Sequence, residues 1–188
     1  MHPHTETINY LIKIKGYISY LEIGVHIPAH NFDLVKCRYK IGVDPNGLAT
    51  FTGTSDEFFA LPHGQKFDII FIDGLHHKEQ VIKDFSNSLL CLNEGGLILI
   101  HDTNPADYRY TLVPREGTRG RWNGDCYKFI SCLKDFDYKT VDYDANGLTV
   151  VKPGAQPCEM GNVSYDWFTV NKKKYLNLCT RQEFEEWI

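Results

Sequence analysis

The sequence lacks a long uninterrupted apolar run. The stretch from Met1 to Gly24 is partly apolar but is broken by Lys13, Lys15 and Gly16, which excludes a signal peptide or a membrane span there. A cytoplasmic protein with no membrane partner is therefore expected. Basic excess is missing as well, since 20 Lys and Arg stand against 24 Asp and Glu for a net charge of -4. The short run Lys172, Lys173, Lys174 reads as a solvated helix face, so no nucleic-acid partner is expected. The cysteines Cys37, Cys91, Cys126, Cys132, Cys158 and Cys179 include no CxxC pair and no zinc-type spacing, and read as reduced thiols. Internal repeats and low-complexity tracts are also absent.

What is present is an ordinary globular composition, 43% hydrophobic and 23% charged, over 188 residues. That length suits one substantial core. Residues 7–15 are expected to form a short helix, Tyr17 to Ile23 a strand, and residues 38–45 a second strand stopped by Asp44 and Pro45. A weaker strand over 48–53 and a short helix around residues 56–61 come next. FDIIFIDG (67–74) is a continuous apolar run bounded by an acid and a glycine, the pattern of a strand buried on both faces of a parallel sheet. Residues 78–92 place Val81, Ile82, Phe85, Leu89 and Leu90 at helical spacing, and GLILIHD (96–102) is another buried strand.

This alternation predicts a parallel α/β sheet with right-handed crossovers. Residues 103–123, rich in Pro, Gly and Arg, read as a long binding loop. Residues 124–133 read as a helix, and 137–144 with 148–153 as an antiparallel hairpin around an Ala-Asn-Gly turn. A main domain over 1–153 is expected, with 154–188 a C-terminal extension packed on it or on a second subunit of a homo-oligomer.

Ligands bind open parallel sheets at the carboxyl ends of the strands, where loops and helix N-termini converge. Here those ends carry Glu22-Ile-Gly24, then Asp44, then Asp73-Gly-Leu-His76-His77, then His101-Asp102-Thr103-Asn104. If the strands before Asp73 and Asp102 are neighbours, their ends lie about 4.8 Å apart. Two facing carboxylates repel unless one is protonated or a cation sits between them. His76 can orient an acid, bind a metal or take a proton from a hydroxyl. The alternative is that each acid merely caps the helix or turn after its strand, while His77 faces solvent at the helix start.

The stretches YLEIGV (20–25), KIGVDP (40–45), TSDEFF (54–59), FDIIFIDGLHHKEQVIKDF (67–85), LNEGGLILIHDTNP (92–105) and WNGDCYKF (122–129) resemble the class I methyltransferases that use S-adenosylmethionine. Within these they resemble the branch of the macrolide sugar O-methyltransferases and the cephalosporin-biosynthesis methyltransferase. Asp-Gly-x-His after an apolar strand is the specific part. The resemblance implies a three-layer Rossmann-like fold with a mostly parallel seven-stranded sheet and a C-terminal antiparallel hairpin. It implies that Glu22 and Gly24 lie along the methionine part of the cofactor. Asp44 would accept from the ribose hydroxyls, Ser55 and Asp56 would lie near the adenine, and Asp73 near the sulfonium. By likeness to metal-dependent relatives it also implies magnesium on Asp73, Asp102 and Thr103.

The expected chemistry is methyl transfer to a hydroxyl of a small polar metabolite or sugar. Magnesium would lower the hydroxyl's pKa while His76 or His101 takes the proton, Asp73 standing with them at the reacting centre. Arg109, Arg115, Arg119 and Arg121 of the long loop are candidates to contact an anionic group.

One segment departs from the family. Its first motif normally continues with another glycine, whereas this chain reads Gly24-Val-His26-Ile-Pro28-Ala-His30. Proline has no N–H and a fixed φ, so the usual backbone contacts cannot form there. Pro28 also argues against His26 and His30 sharing a helix turn as metal ligands. The rival functions are a methyltransferase-fold binding or regulatory protein without transfer activity, and a metal-dependent hydrolase or oxygenase.

Overall fold

The computed structural model describes residues 2–62, 64–117, 120–154 and 161–188, so Arg119 and Cys158 lie outside the described residues. Helix α1 (Pro3–Lys15) starts earlier than the apolar periodicity indicates, because Pro3 occupies its first turn, where a missing N–H costs nothing. It ends on Gly16 in the left-handed conformation, φ 69°. The early start carries His4 into the helix and over the sheet.

Strands β1 (Ser19–Ile23), β2 (Tyr39–Asp44), β3 (Phe51–Thr52), β4 (Phe67–Ile72) and β5 (Leu92–Ile100) are all parallel. Helix α2 (Ser55–Phe59) carries a Thr54–Glu57 capping box, and α3 (Lys78–Leu90) crosses from β4 to β5. The hairpin is β6 (Tyr138–Val141) and β7 (Leu148–Val151), with β7 antiparallel to both β5 and β6. The segment expected to be a helix over 124–133 is a tighter 3-10 helix, Cys126–Leu133, buried on most of its length.

Among the described residues the sheet order is β3-β2-β1-β4-β5-β7-β6-β8, with β8 at Leu178–Cys179, eight strands where seven were expected. The extra strand, β8 (Leu178–Cys179), pairs in parallel with β6. It covers backbone groups that β6 would otherwise present as an open edge. Helix α4 (Tyr165–Tyr175) buries Phe168 completely, and α5 (Arg181–Trp187) buries Phe184. Lys172, Lys173 and Lys174 fall in the last turn of α4, where positive charge suits the helix dipole.

Alternate residues of β4 and β5 feed the two faces. Ile70, Ile72, Ile98 and Ile100 pack with Val81 and Phe85 of α3, Phe129 and Phe168. Ile69, Phe71, Leu97 and Leu99 pack with Ile8, Leu11 and Ile12 of α1 and with Phe184. The sheet is thus buried on both sides in a three-layer arrangement. No helix among the described residues is long and apolar enough to cross a membrane. Cys37, Cys91, Cys126, Cys132 and Cys179 are free thiols.

Candidate active site

Parallel registry brings the carboxyl ends of β2, β1, β4 and β5 level: Ile23 pairs with Val43 and Ile72, and Ile72 with Ile100. The residues just beyond therefore surround one crevice. It is a cavity of about 930 Å³, walled by Glu22, Gly24, Asp44, Ser55 and Asp56 on one side and by Asp73, His76, His101 and Asp102 on the other.

Around the second group, acids and imidazoles interleave. His76 Nε2 lies 3.5 Å from Asp73 Oδ1 and 3.2 Å from Asp102 Oδ2. His101 Nδ1 lies 3.2 Å from Asp73 Oδ1, and its Nε2 3.4 Å from Asp144 Oδ1. Asp102 sits at φ 60°, and its Oδ1 accepts from Asn123 Nδ2 at 2.7 Å. Neither acid caps a helix: α3 begins without a side-chain cap at His77, and Lys78 N donates to Asp125 instead.

Burial pulls the His76 imidazole down, but the hydrogen bond to Asp73 and the charges of Asp102 and Asp73 outweigh it and raise it to about 9. For His101 the same contest ends well above the ordinary value, through Asp73, Asp102 and Asp144. Burial alone would raise Asp73, yet the two histidines hold it well below the usual carboxylate range.

His76 is fixed from its other side. Its Nδ1 contacts the Trp122 carbonyl oxygen at 2.8 Å, and its ring stacks on the Trp122 indole with centroids 5.1 Å apart. His77 is half-buried rather than solvent-facing, edge-on to the same indole at 6.2 Å. Gly124, at φ 57°, makes this docking possible: a Cβ there would lie 1.8 Å from the His76 carbonyl oxygen.

On the opposite wall, Gly24 crosses so close to β4 that a Cβ would come within 2.1 Å of the Asp73 carbonyl oxygen. Glu22 is buried and accepts from the Tyr20 hydroxyl at 2.5 Å and from Asn31 Nδ2 at 2.9 Å. Burial pushes its carboxyl up to about 8, partly opposed by the Tyr20 bond. Asp44 accepts from the backbone N–H of His26 at 2.8 Å and of Asn46 at 2.9 Å, one on each oxygen. Each oxygen keeps a further lone pair. Ser55 and Asp56 both accept from Gln80 Nε2, at 3.1 and 3.0 Å.

The departing loop is accommodated locally. His26 takes the positive φ, 47°, that a glycine adopts at no cost, and Pro28 opens a short 3-10 turn ending at His30. His26 and His30 therefore share no helix turn, as Pro28 implied.

Magnesium does not fit the expected donor set. Thr103 is fully buried with its hydroxyl bonded to Thr149 at 2.8 Å, in a chain that continues to Thr140, and it does not line the cavity. Imidazole nitrogens, not further oxygens, stand between the two acids, whereas magnesium asks for an oxygen octahedron. Thr103, expected as a ligand, is instead turned to Thr149 of the hairpin and away from the cavity.

The arginines divide. Arg121 lines the cavity, Arg109 is exposed and paired with Asp107 at 2.8 Å, and Arg115 donates to the Gly120 carbonyl. Sequence reasoning missed His2, His4, Trp122, Asn123 and Asp144. His4 and Asp144 stand in no motif; Asp144 reads as a turn residue before Ala-Asn-Gly, and His4 precedes the apolar repeat. Trp122 and Asn123 lay in a stretch already matched to the family, which was their one available signal.

Residues 30–103 match the model of a family described as a methyltransferase domain. The match begins at His30, the last residue of the altered loop, and runs to Thr103. No curated protein matches the chain by sequence. Among solved structures, the O-methyltransferase from Bacillus cereus in complex with SAH is similar at TM-score 0.57 and 14% identity, over 81% of this chain and 82% of that one. The O-methyltransferase of tomaymycin synthesis from Streptomyces achromogenes, in complex with SAM, gives 0.54 and 12%, over 81% and 80%. The mycinamycin-pathway methyltransferase MycE, in complex with Mg, SAH and mycinamycin VI, gives 0.50 and 18%, over 87% of this chain and 51% of that one. The chain has the class I methyltransferase fold.

Proposed function

We propose that this chain is an S-adenosylmethionine-dependent methyltransferase acting on a hydroxyl of a small polar molecule. The observation that carries the reading is a single cavity whose walls divide between a cofactor-type half, Glu22, Gly24 and Asp44, and a proton-handling half, Asp73, His76 and His101. Its volume lies within the roughly 300–1,000 Å³ of small-molecule sites. The spare lone pairs of Asp44 suit a vicinal diol, and Ser55 and Asp56 would flank the base.

When bound, S-adenosylmethionine supplies the methyl group as an electrophile. The chain's task is to hold the hydroxyl in line, about 3 Å from that carbon, and to remove its proton. His76 is the better base of the two histidines. Both nitrogens of His101 face carboxylates and the ring is 7% exposed, whereas His76 opens to the cavity at 21%. With Nδ1–H donating to Trp122, the Nε2 lone pair of neutral His76 receives the proton, and Asp73 and Asp102 stabilise the imidazolium. Arg121 and Trp122 stand where an acceptor would enter.

Calorimetry of the purified protein with S-adenosylhomocysteine tests the reading. Binding below millimolar concentration, weakened at least tenfold by Asp44→Asn, is expected. Absence of binding at millimolar ligand would favour a binding or regulatory protein that keeps the fold, for which the replacement of glycine by His26 and Pro28 is the supporting observation.

A further inference from the structure

His101 has a second face, turned away from Asp73. There its Nε2 meets Asp144 Oδ1 at 3.4 Å, and His4 Nδ1 meets Asp144 Oδ2 at the same 3.4 Å. One ligand atom from each of the three residues lies within 4.8 Å of the others; His101 and Asp144 are buried and the His4 side chain is 11% exposed. The residues come from the first turn of α1, the end of β5 and the turn after β6, so no local sequence constraint brings them together.

Hydrogen bonding holds the group only at long range. A contact of 3.4 Å is long for a nitrogen and a carboxylate oxygen, which prefer about 2.7–2.9 Å when charged. Asp144 is only 3% exposed, yet its Oδ2 has no hydrogen-bond partner; Oδ1 accepts from Asn146 N at 3.0 Å. A buried carboxylate oxygen whose polar neighbour, His4 Nδ1, stands at 3.4 Å can take a closer partner. The spacing suggests which. Ligand atoms about 2.0–2.1 Å from a tetrahedral zinc ion stand roughly 3.4 Å from one another; here His4 and His101 each reach one oxygen of Asp144 at that distance, and one atom from each residue lies within 4.8 Å of the other two.

We propose that His4 Nδ1, His101 Nε2 and the Asp144 carboxylate bind one divalent transition ion of the zinc type, at a site separate from the Asp73–Asp102 pair. Two imidazoles and one carboxylate suit such an ion and not magnesium. The fourth position opens to the cavity, whose lining includes His2, His4, His101 and Asn146. Coordination through Nε2 leaves the His101 Nδ1–H to donate to Asp73 Oδ1 at 3.2 Å. That is the carboxylate–histidine–metal arrangement in which an outer acid fixes the tautomer of a ligating ring. The ion would act as a positioning element: it pins α1 to the sheet and sets the orientation of His101, and through it Asp73.

The site stands independently of the methyltransferase reading, because the test uses metal alone. The full chain is stripped with a chelator and titrated with zinc against a chromophoric competitor, and separately with cobalt. One zinc per chain is expected, with the intense visible absorption of four-coordinate cobalt. His4→Gln and Asp144→Asn should each weaken zinc by roughly 100-fold or more, and Asp73→Asn by about 10- to 100-fold as the outer partner. Circular dichroism of each variant checks folding, and the cobalt spectrum of the unmutated chain needs no variant at all. Failure of the unmutated chain to bind a stoichiometric ion, a six-coordinate cobalt spectrum, or zinc affinity that survives both His4→Gln and Asp144→Asn would each overturn the proposal.

Discussion

His76 Nε2 stands between two strand-end acids, 3.2 Å from Asp102 and 3.5 Å from Asp73. The two carboxyl groups therefore face each other across an imidazole. In the proposed reaction nitrogen carries the proton, and the pH dependence would be set by how strongly those acids hold the His76 proton.

The His76 imidazole, raised to about 9, should show that value directly. An NMR titration of its ring proton is expected to have a midpoint near 9, falling toward the ordinary 6.5 in Asp102→Asn. The linked stability is fully present below the unfolded value of about 6.5 and is lost as pH rises through 9. As a base His76 must be neutral, so methyl transfer should rise with pH up to the same point. A rate that is flat from pH 7 to 9 would remove His76 from that role.

Replacing His76 by Gln should lower turnover about 10²- to 10⁴-fold while leaving S-adenosylhomocysteine affinity within a few-fold. Turnover is read with labelled S-adenosylmethionine over a panel of hydroxylated acceptors, and affinity by calorimetry. Equal loss of both would indicate a damaged cavity instead of a missing base.

Glu22 is a buried acid raised to about 8 by desolvation. Between its unfolded value, about 4.5, and 8 the folded state binds the extra proton, so this group's contribution to stability falls as pH rises through that window. Glu22→Gln keeps an acceptor for Tyr20 and Asn31 and removes the titration. Its melting temperature should decline less between pH 5 and 8 than that of the unmutated chain.

Gly124→Ala places a methyl group against the His76 carbonyl oxygen at a positive φ. Destabilisation of about 1–3 kcal/mol is expected in denaturant unfolding. Proteolysis within residues 103–123 should accelerate, because Asn123 N and Gly124 N both donate to the Tyr110 carbonyl and close that loop.

The apolar runs at 69–72 and 97–100, with a helical repeat between them, read as buried parallel strands and so made legible the sheet, the crossover helix and the placing of Asp44, Asp73 and Asp102 at strand ends. Period and punctuation are local properties, and these were legible. The bond of Thr103 to Thr149 was not legible, because Thr149 comes from a hairpin whose registry no local pattern encodes. The eighth strand escaped notice because Leu178–Cys179 has two residues and no alternation to read. His4 and Asp144 are 140 positions apart in the numbering, and only the packing of α1 across β5 and the β6–β7 turn brings them to His101. The strand-end acids were written in the sequence; which nitrogens and which second carboxylate surround them depends on contacts between segments that share no motif.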